Sequence, residues 1–104
     1  MHGYGRRVQG MDESRAERVV AALRDRGVLA HVARAGVDQI GVRVVLTDGR
    51  EAVWDTDGAA GLEATVLRDG ILVDYVPLIP GSESFSEPQI VDAIARTEYS
   101  RDTD

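Results

Sequence analysis

Asp-Gly recurs three times in the middle of this chain, as Asp48-Gly49, Asp57-Gly58 and Asp69-Gly70. Both residues tolerate the positive φ that a tight type I′ turn demands, so Asp-Gly between apolar runs is a strong hairpin signal. Such runs are present. IGVRVVL and REAVW flank the first pair, and LEATVLR and ILVDYVP flank the third. They are β-branched and of strand length. The middle pair opens a longer connection, DGAAG, between two hairpins. A further strand, VLAHVAR from Val28 to Arg34, precedes them. The centre of the chain therefore reads as a five-stranded antiparallel meander.

Helical periodicity brackets that meander. Ala16, Val19, Val20 and Leu23 share one face at helical spacing, and Arg15, Arg18 and Arg26 take the other. Asp12 or Ser14 caps the start, Ser14 and Glu17 fit a capping box, and Gly27 stands where a left-handed residue ends a helix. A second helix starts at Ser86. Gln89 closes its capping box, Phe85 and Ile90 form a hydrophobic staple, and Pro88 lies in the first turn, where no amide donor is needed. Ile90, Val91 and Ile94 are its apolar stripe. N-terminal helix, five strands and C-terminal helix, in that order, indicate a two-layer α+β fold with helices on an antiparallel sheet. Residues 12–98 form one such domain. Residues 1–11 are glycine-rich and polar and are expected to be flexible, with Met11 as an alternative start. Residues 99–104 read as a polar tail.

With 43% hydrophobic residues, a chain of 104 residues buries a real but small core. It has no cysteine, so disulfide frameworks and thiolate chemistry are excluded. Arginine supplies all twelve basic charges, a compositional bias and not a mechanism. No apolar run approaches the roughly 18 residues of a membrane span. None follows the Arg6-Arg7 pair, as a secretory signal requires. The expectation is a cytoplasmic protein without a membrane partner. A net charge of -6 argues against nucleic acid. That charge is uneven: residues 1–34 hold seven arginines against four acids, and residues 35–104 hold five against fourteen. The basic third either steers a partner or is neutralised by the acidic remainder within the fold. The second reading is preferred, since surface charge has many structural causes.

WDTDGAAGLEA resembles a calcium loop only superficially. With Gly58 at the sixth position, Asp55 and Asp57 fill the third and fifth, but the first falls on Val53 and the twelfth on Ala64. The lost ligands are those the ion most needs, and the flanks read as strands instead of helices. A turn is expected there, with no metal.

Two-residue loops fix an expected register. Around Asp48-Gly49, Arg43 faces Trp54 and Val44 faces Val53. Around Asp69-Gly70, Ala64 faces Tyr75, Thr65 faces Asp74 and Val66 faces Val73. One sheet face then collects Val42, Val44, Val53, Val66, Val73 and Tyr75, which the first helix covers. The other collects Arg43, Val45, Trp54, Glu63, Thr65, Leu67, Leu72, Asp74 and Val76. On this register Arg43 can stack on Trp54, worth roughly 0.5–1 kcal/mol as an exposed cation–π contact. The preferred reading is that the second helix or the neighbours of the first strand cover Trp54, since the only tryptophan of a small domain usually packs. Only the second helix is free to cover this second face, and the alternative is that both helices lie on one face and the patch is simply small. At about 1.5 Å per residue, Ser86 to Thr97 spans roughly 18 Å, less than the width of five strands about 4.8 Å apart.

These residues point to a non-catalytic interaction domain. The expected surface is Arg43, Val45, Trp54, Glu63, Leu67, Leu72, Asp74 and Val76, an apolar patch with a charged rim. Its expected partner is a protein, in the first instance a second copy in a two-fold dimer. Two other classes compete. One is an acidic protein that neutralises a basic partner, as antitoxins and immunity proteins do. The other is a small-ligand binder or enzyme using space between the first helix and the sheet, with His31, Asp74 and Tyr75 as polar groups. His31 has no partner at a spacing that indicates a catalytic base or a metal site. PGSESFSEP lacks the nucleophile-elbow pattern, and its serines read as solvated or capping. No dinucleotide or phosphate-loop motif occurs, so no catalytic residue and no cofactor is assigned.

Overall fold

The structure is a computed structural model and describes residues 12–34, 40–56 and 61–99. Helix α1 (Glu13–Asp25) is followed by strands β1 (Ala30–Arg34), β2 (Ile40–Val45), β3 (Glu51–Thr56), β4 (Leu62–Arg68) and β5 (Ile71–Val76). A single 3₁₀ turn (Ser82–Ser84) then leads to helix α2 (Glu87–Arg96). The strands form one antiparallel sheet in sequence order, β1-β2-β3-β4-β5, with both helices packed on it. This is the expected helix, meander and helix of an α+β domain.

Helix ends follow their local chemistry. Asp12 caps α1, its carboxylate accepting the Arg15 N–H at 2.8 Å. Gly27 adopts φ +85°, and the N–H groups of Gly27 and Val28 bond the carbonyls of Arg24 and Leu23. That double closure needs a left-handed residue, which glycine adopts without a Cβ penalty. Ser86 and Gln89 bond each other's backbone N–H groups at the start of α2, completing the capping box.

The two hairpins differ, and the difference decides which side chains are buried. At Asp69-Gly70 both residues have positive φ, 54° and 82°. Leu67 faces Leu72 and Arg68 faces Ile71 across the resulting two-residue turn. At Asp48-Gly49 only the glycine has positive φ, 94°. There the Gly49 N–H bonds the Leu46 carbonyl and the Leu46 N–H bonds the Arg50 carbonyl. The loop is therefore Thr47-Asp48-Gly49, one residue longer than expected. Asp48 secures it, accepting the Arg50 N–H at 3.1 Å and Arg50 Nε at 2.8 Å.

That extra residue moves the register by one. Val42 faces Trp54, and Arg43 faces Val53. Alternate side chains take opposite faces, so a one-residue slip turns the whole of β3 over. Trp54 lies on the helix side, fully buried, and not across from Arg43 as the expected register has it. A second correction comes from β5, where a bulge makes Val73 the extra residue. Beyond it Val66 faces Asp74, Thr65 faces Tyr75 and Ala64 faces Val76. Asp74 and Val76 thus join the helix side, and Tyr75 joins the opposite one.

Ala16, Val19, Val20 and Leu23 of α1 pack with Ile90, Val91 and Ile94 of α2 in one cluster that includes Val42, Trp54, Leu62 and Val66. Both helices therefore lie on the same face of the sheet. Of the two placements the sequence leaves open to α2, it takes the face of α1. Its position is fixed by α1: Arg18 Nε bonds Glu87 at 2.9 Å, and Arg26 meets Asp92 at 3.4 Å. These pairs neutralise the basic first third against the acidic remainder within the fold, as preferred above.

Candidate functional site

With both helices on one side, no element of the described residues covers the other face of the sheet, its open face. The parity of the strands places Arg43 and Val45 of β2 there, Glu51 and Val53 of β3, Glu63, Thr65 and Leu67 of β4, and Leu72 and Tyr75 of β5. Five of the eight expected surface residues are brought together: Arg43, Val45, Glu63, Leu67 and Leu72. Trp54, Asp74 and Val76 are not, because of the longer loop and the bulge. Val53 and Tyr75 take places the sequence reading did not give them.

The open face interleaves apolar and charged side chains: Glu51 of the central strand stands between Val45 and Leu67, and Arg43 between His31 and Val53. Val53 and Thr65 are neighbours across β3 and β4, and Leu67 and Leu72 across β4 and β5. Arg43 reaches Glu51 only loosely, at 3.8 Å, and its Nε is shielded from solvent without a hydrogen bond. Glu63 is exposed and has no cationic partner among the described residues.

The polar groups considered for catalysis do not assemble. His31 is on β1 and Asp74 and Tyr75 are on β5, at opposite edges of the sheet. Four inter-strand steps of about 4.8 Å separate them by roughly 19 Å. His31 Nδ1 instead lies 3.2 Å from Arg24 Nη2, whose Nε donates to the Ala30 carbonyl at 2.8 Å. The space between α1 and the sheet is filled by core side chains. A cleft of about 420 Å³ opens elsewhere, at the end of the sheet beside the β2–β3 loop. Val28, Leu46, Ile94, Asp48, Arg50 and Tyr99 line it. Asp48 is held below the usual carboxylate range, mainly by the Arg50 N–H bonded to it, with the Arg50 guanidinium adding to the effect. The Tyr99 hydroxyl is pushed up by burial.

Asp57 and Gly58 of the loop compared with a calcium site lie outside the described residues, and the segments flanking it are strands β3 and β4. Among the described residues, no three of His, Asp and Glu are grouped so as to hold a metal ion, and no helix is long and apolar enough to cross a membrane.

No protein-family model, curated protein or solved structure matches the chain. The functional reading therefore rests on the geometry alone.

Proposed function

We propose that this chain is a non-catalytic interaction domain that pairs with a second copy of itself through the open face of its sheet. The observation that carries this reading is the placement of both helices on one face, which among the described residues leaves Val45, Val53, Leu67 and Leu72 on the other without a covering layer. Contiguous apolar surface of this kind is uncommon on soluble monomers and marks interaction sites. Its charges support a self-complementary contact. Arg43 meets Glu51 only at 3.8 Å and Glu63 has no cation among the described residues, so a two-fold axis through the face sets each against the other's mate.

The reading is tested by amide NMR on serial dilution. Concentration-dependent shifts at Val45, Val53, Leu67 and Leu72, absent from α1, are expected. Shifts confined to the helices, or none, count against it. A charge at the centre of the face, as in Leu67→Glu, is expected to abolish the dilution effect while leaving the Trp54 indole signal of the folded core in place.

A further inference from the structure

Among the described residues, strand β5 is an edge strand whose side chains are also largely exposed. It pairs with β4 alone, and among the described residues no strand lies along its outer edge. Its side chains are bare as well. Ile71 is 68% exposed, Leu72 59% and Tyr75 64%, with Val73 and the following Leu78 also exposed. Edges of this kind are ready-made templates for another strand and are usually blunted. Here the partial blunting is selective. The Val73 bulge interrupts the ladder, and the Asp74 carboxylate folds back onto the Tyr75 N–H at 2.8 Å.

The surroundings of β5 carry one sign of charge. Between Arg68 and Arg96 the chain has no basic residue, while it holds Asp69, Asp74, Glu83, Glu87 and Asp92. Glu87 and Asp92 are matched by arginines of α1. Asp69, Asp74 and Glu83 meet no cation among the described residues. Arg68 reaches away from this edge, toward the Asp48 carbonyl at 3.5 Å. The result is an apolar strand edge that carries Asp69 at its turn and Asp74 near its middle, neither matched by a cation among the described residues.

The geometry points to β5 as the docking strand for an extended, basic segment of another protein, added antiparallel to the sheet edge. Main-chain bonds to the edge supply affinity in such strand addition, and side chains at alternate positions supply selectivity. Apolar residues of the incoming strand lie along Leu72 and Tyr75, and its arginine or lysine residues meet Asp69 and Asp74. A guanidinium competes for the Asp74 carboxylate that folds back on Tyr75. Self-pairing of β5 is disfavoured by the same charges. It brings two Asp74 side chains, each near the middle of its strand, into one short strip, and like charges across a strand pair destabilise it. The site shares Leu72 and Tyr75 with the margin of the open face, but its main-chain groups lie along the outer edge of β5, so strand addition there is distinguished from face pairing by its dependence on Asp74.

The test uses the whole chain and three labelled peptides. One alternates valine and arginine, one alternates valine and glutamate, and one carries the same arginines spaced by glycine. The valine–arginine peptide is expected to bind, with amide shifts concentrated in Ile71–Val76 and Leu62–Arg68, and to weaken as salt rises. The valine–glutamate peptide is expected not to bind, and the glycine-spaced one to bind at least about tenfold more weakly. Asp74→Arg is expected to weaken the first peptide about tenfold and to favour the second. Asp74→Asn, which keeps an acceptor for the Tyr75 N–H, gives a smaller loss and guards against misfolding of the reversed variant. Equal binding of the glycine-spaced peptide, shifts on the helices, or no binding overturns the proposal. So does concentration-dependent protection of the β5 amides in the free chain, which would mean a second copy already holds the edge.

Discussion

The indole N–H of Trp54 donates to the hydroxyl of Tyr99 at 2.9 Å, joining the centre of β3 to the residue that follows α2 by three positions. The tryptophan is fully buried, so this N–H has no water to turn to. Tyr99 stands where the sequence suggests a polar tail begins, yet it packs against the core. Tyr99→Phe keeps most of the packing and removes the acceptor. It is expected to cost about 1–3 kcal/mol, the range for a buried polar group left unpaired. Urea denaturation followed by far-UV circular dichroism measures it. Tyr75→Phe, at an exposed position, is the control and is expected to change little. Equal midpoints for the two variants would mean the bond is not formed.

Tyr99 also sets an alkaline limit. Burial is the main cause of its raised pKa, opposed by the bond from Trp54. A group whose folded pKa lies above its unfolded value stabilises the fold fully below the unfolded value and ceases to do so as pH rises through the folded one. Stability is therefore expected to fall as pH climbs past the ordinary tyrosine value of about 10. In Tyr99→Phe the slope of stability against pH in that window is expected to flatten. An unchanged slope would show that other groups set the limit.

At the acid end the informative group is Glu87. Its carboxyl is held down chiefly by the hydrogen bond from Arg18, with the charges of Arg18 and Arg15 assisting. A depressed carboxylate stabilises the fold above its unfolded pKa and ceases to do so as pH falls through the folded value. The pair is partly exposed, so its worth is a few tenths to about 1 kcal/mol. Glu87→Gln is expected to lose that amount at neutral pH and nothing at low pH, where the wild-type carboxyl is already protonated. A constant difference across pH would point to packing instead of charge.

The serines of PGSESFSEP separate into two energetic classes. Ser86 caps α2, and Ser86→Ala is expected to cost about 1 kcal/mol. Ser82 is buried, accepts the Leu62 N–H at 2.7 Å and donates to the Ile79 carbonyl at 2.6 Å. Ser82→Ala leaves the Leu62 N–H unpaired, while the Ile79 carbonyl keeps the Ser82 N–H, and it is expected to cost more, about 1–3 kcal/mol. Thermal unfolding of the two variants ranks them. The reverse order would show that Ser82 does not tie the loop to β4.

Element types were legible because their signals are local. Caps, helical spacing and turn residues lie within a few positions of what they control, and the Ser86–Gln89 box needs nothing from the rest of the chain. Register was not, because it depends on loop length. Asp48-Gly49 and Asp69-Gly70 are the same dipeptide, yet Arg50 bonds Asp48 and draws the first into a longer loop. That single residue exchanged Trp54 for Val53 on the open face. Chain order also does not tell a second helix which face to take. The ion pairs Arg18–Glu87 and Arg26–Asp92 join positions far apart in sequence, and no periodicity announces them. The register is itself open to test. Trp54→Ala is expected to cost about 3–5 kcal/mol as a core truncation, and Val53→Thr less than about 1 kcal/mol.

Sedimentation equilibrium across the micromolar range tests the central claim most directly. Pairing through the open face predicts a mass that rises from 11.3 kDa toward twice that value with concentration, and a return to the single mass in Leu67→Glu with the fold intact. A species that stays at 11.3 kDa throughout, or a dimer that Leu67→Glu leaves unchanged, would contradict it.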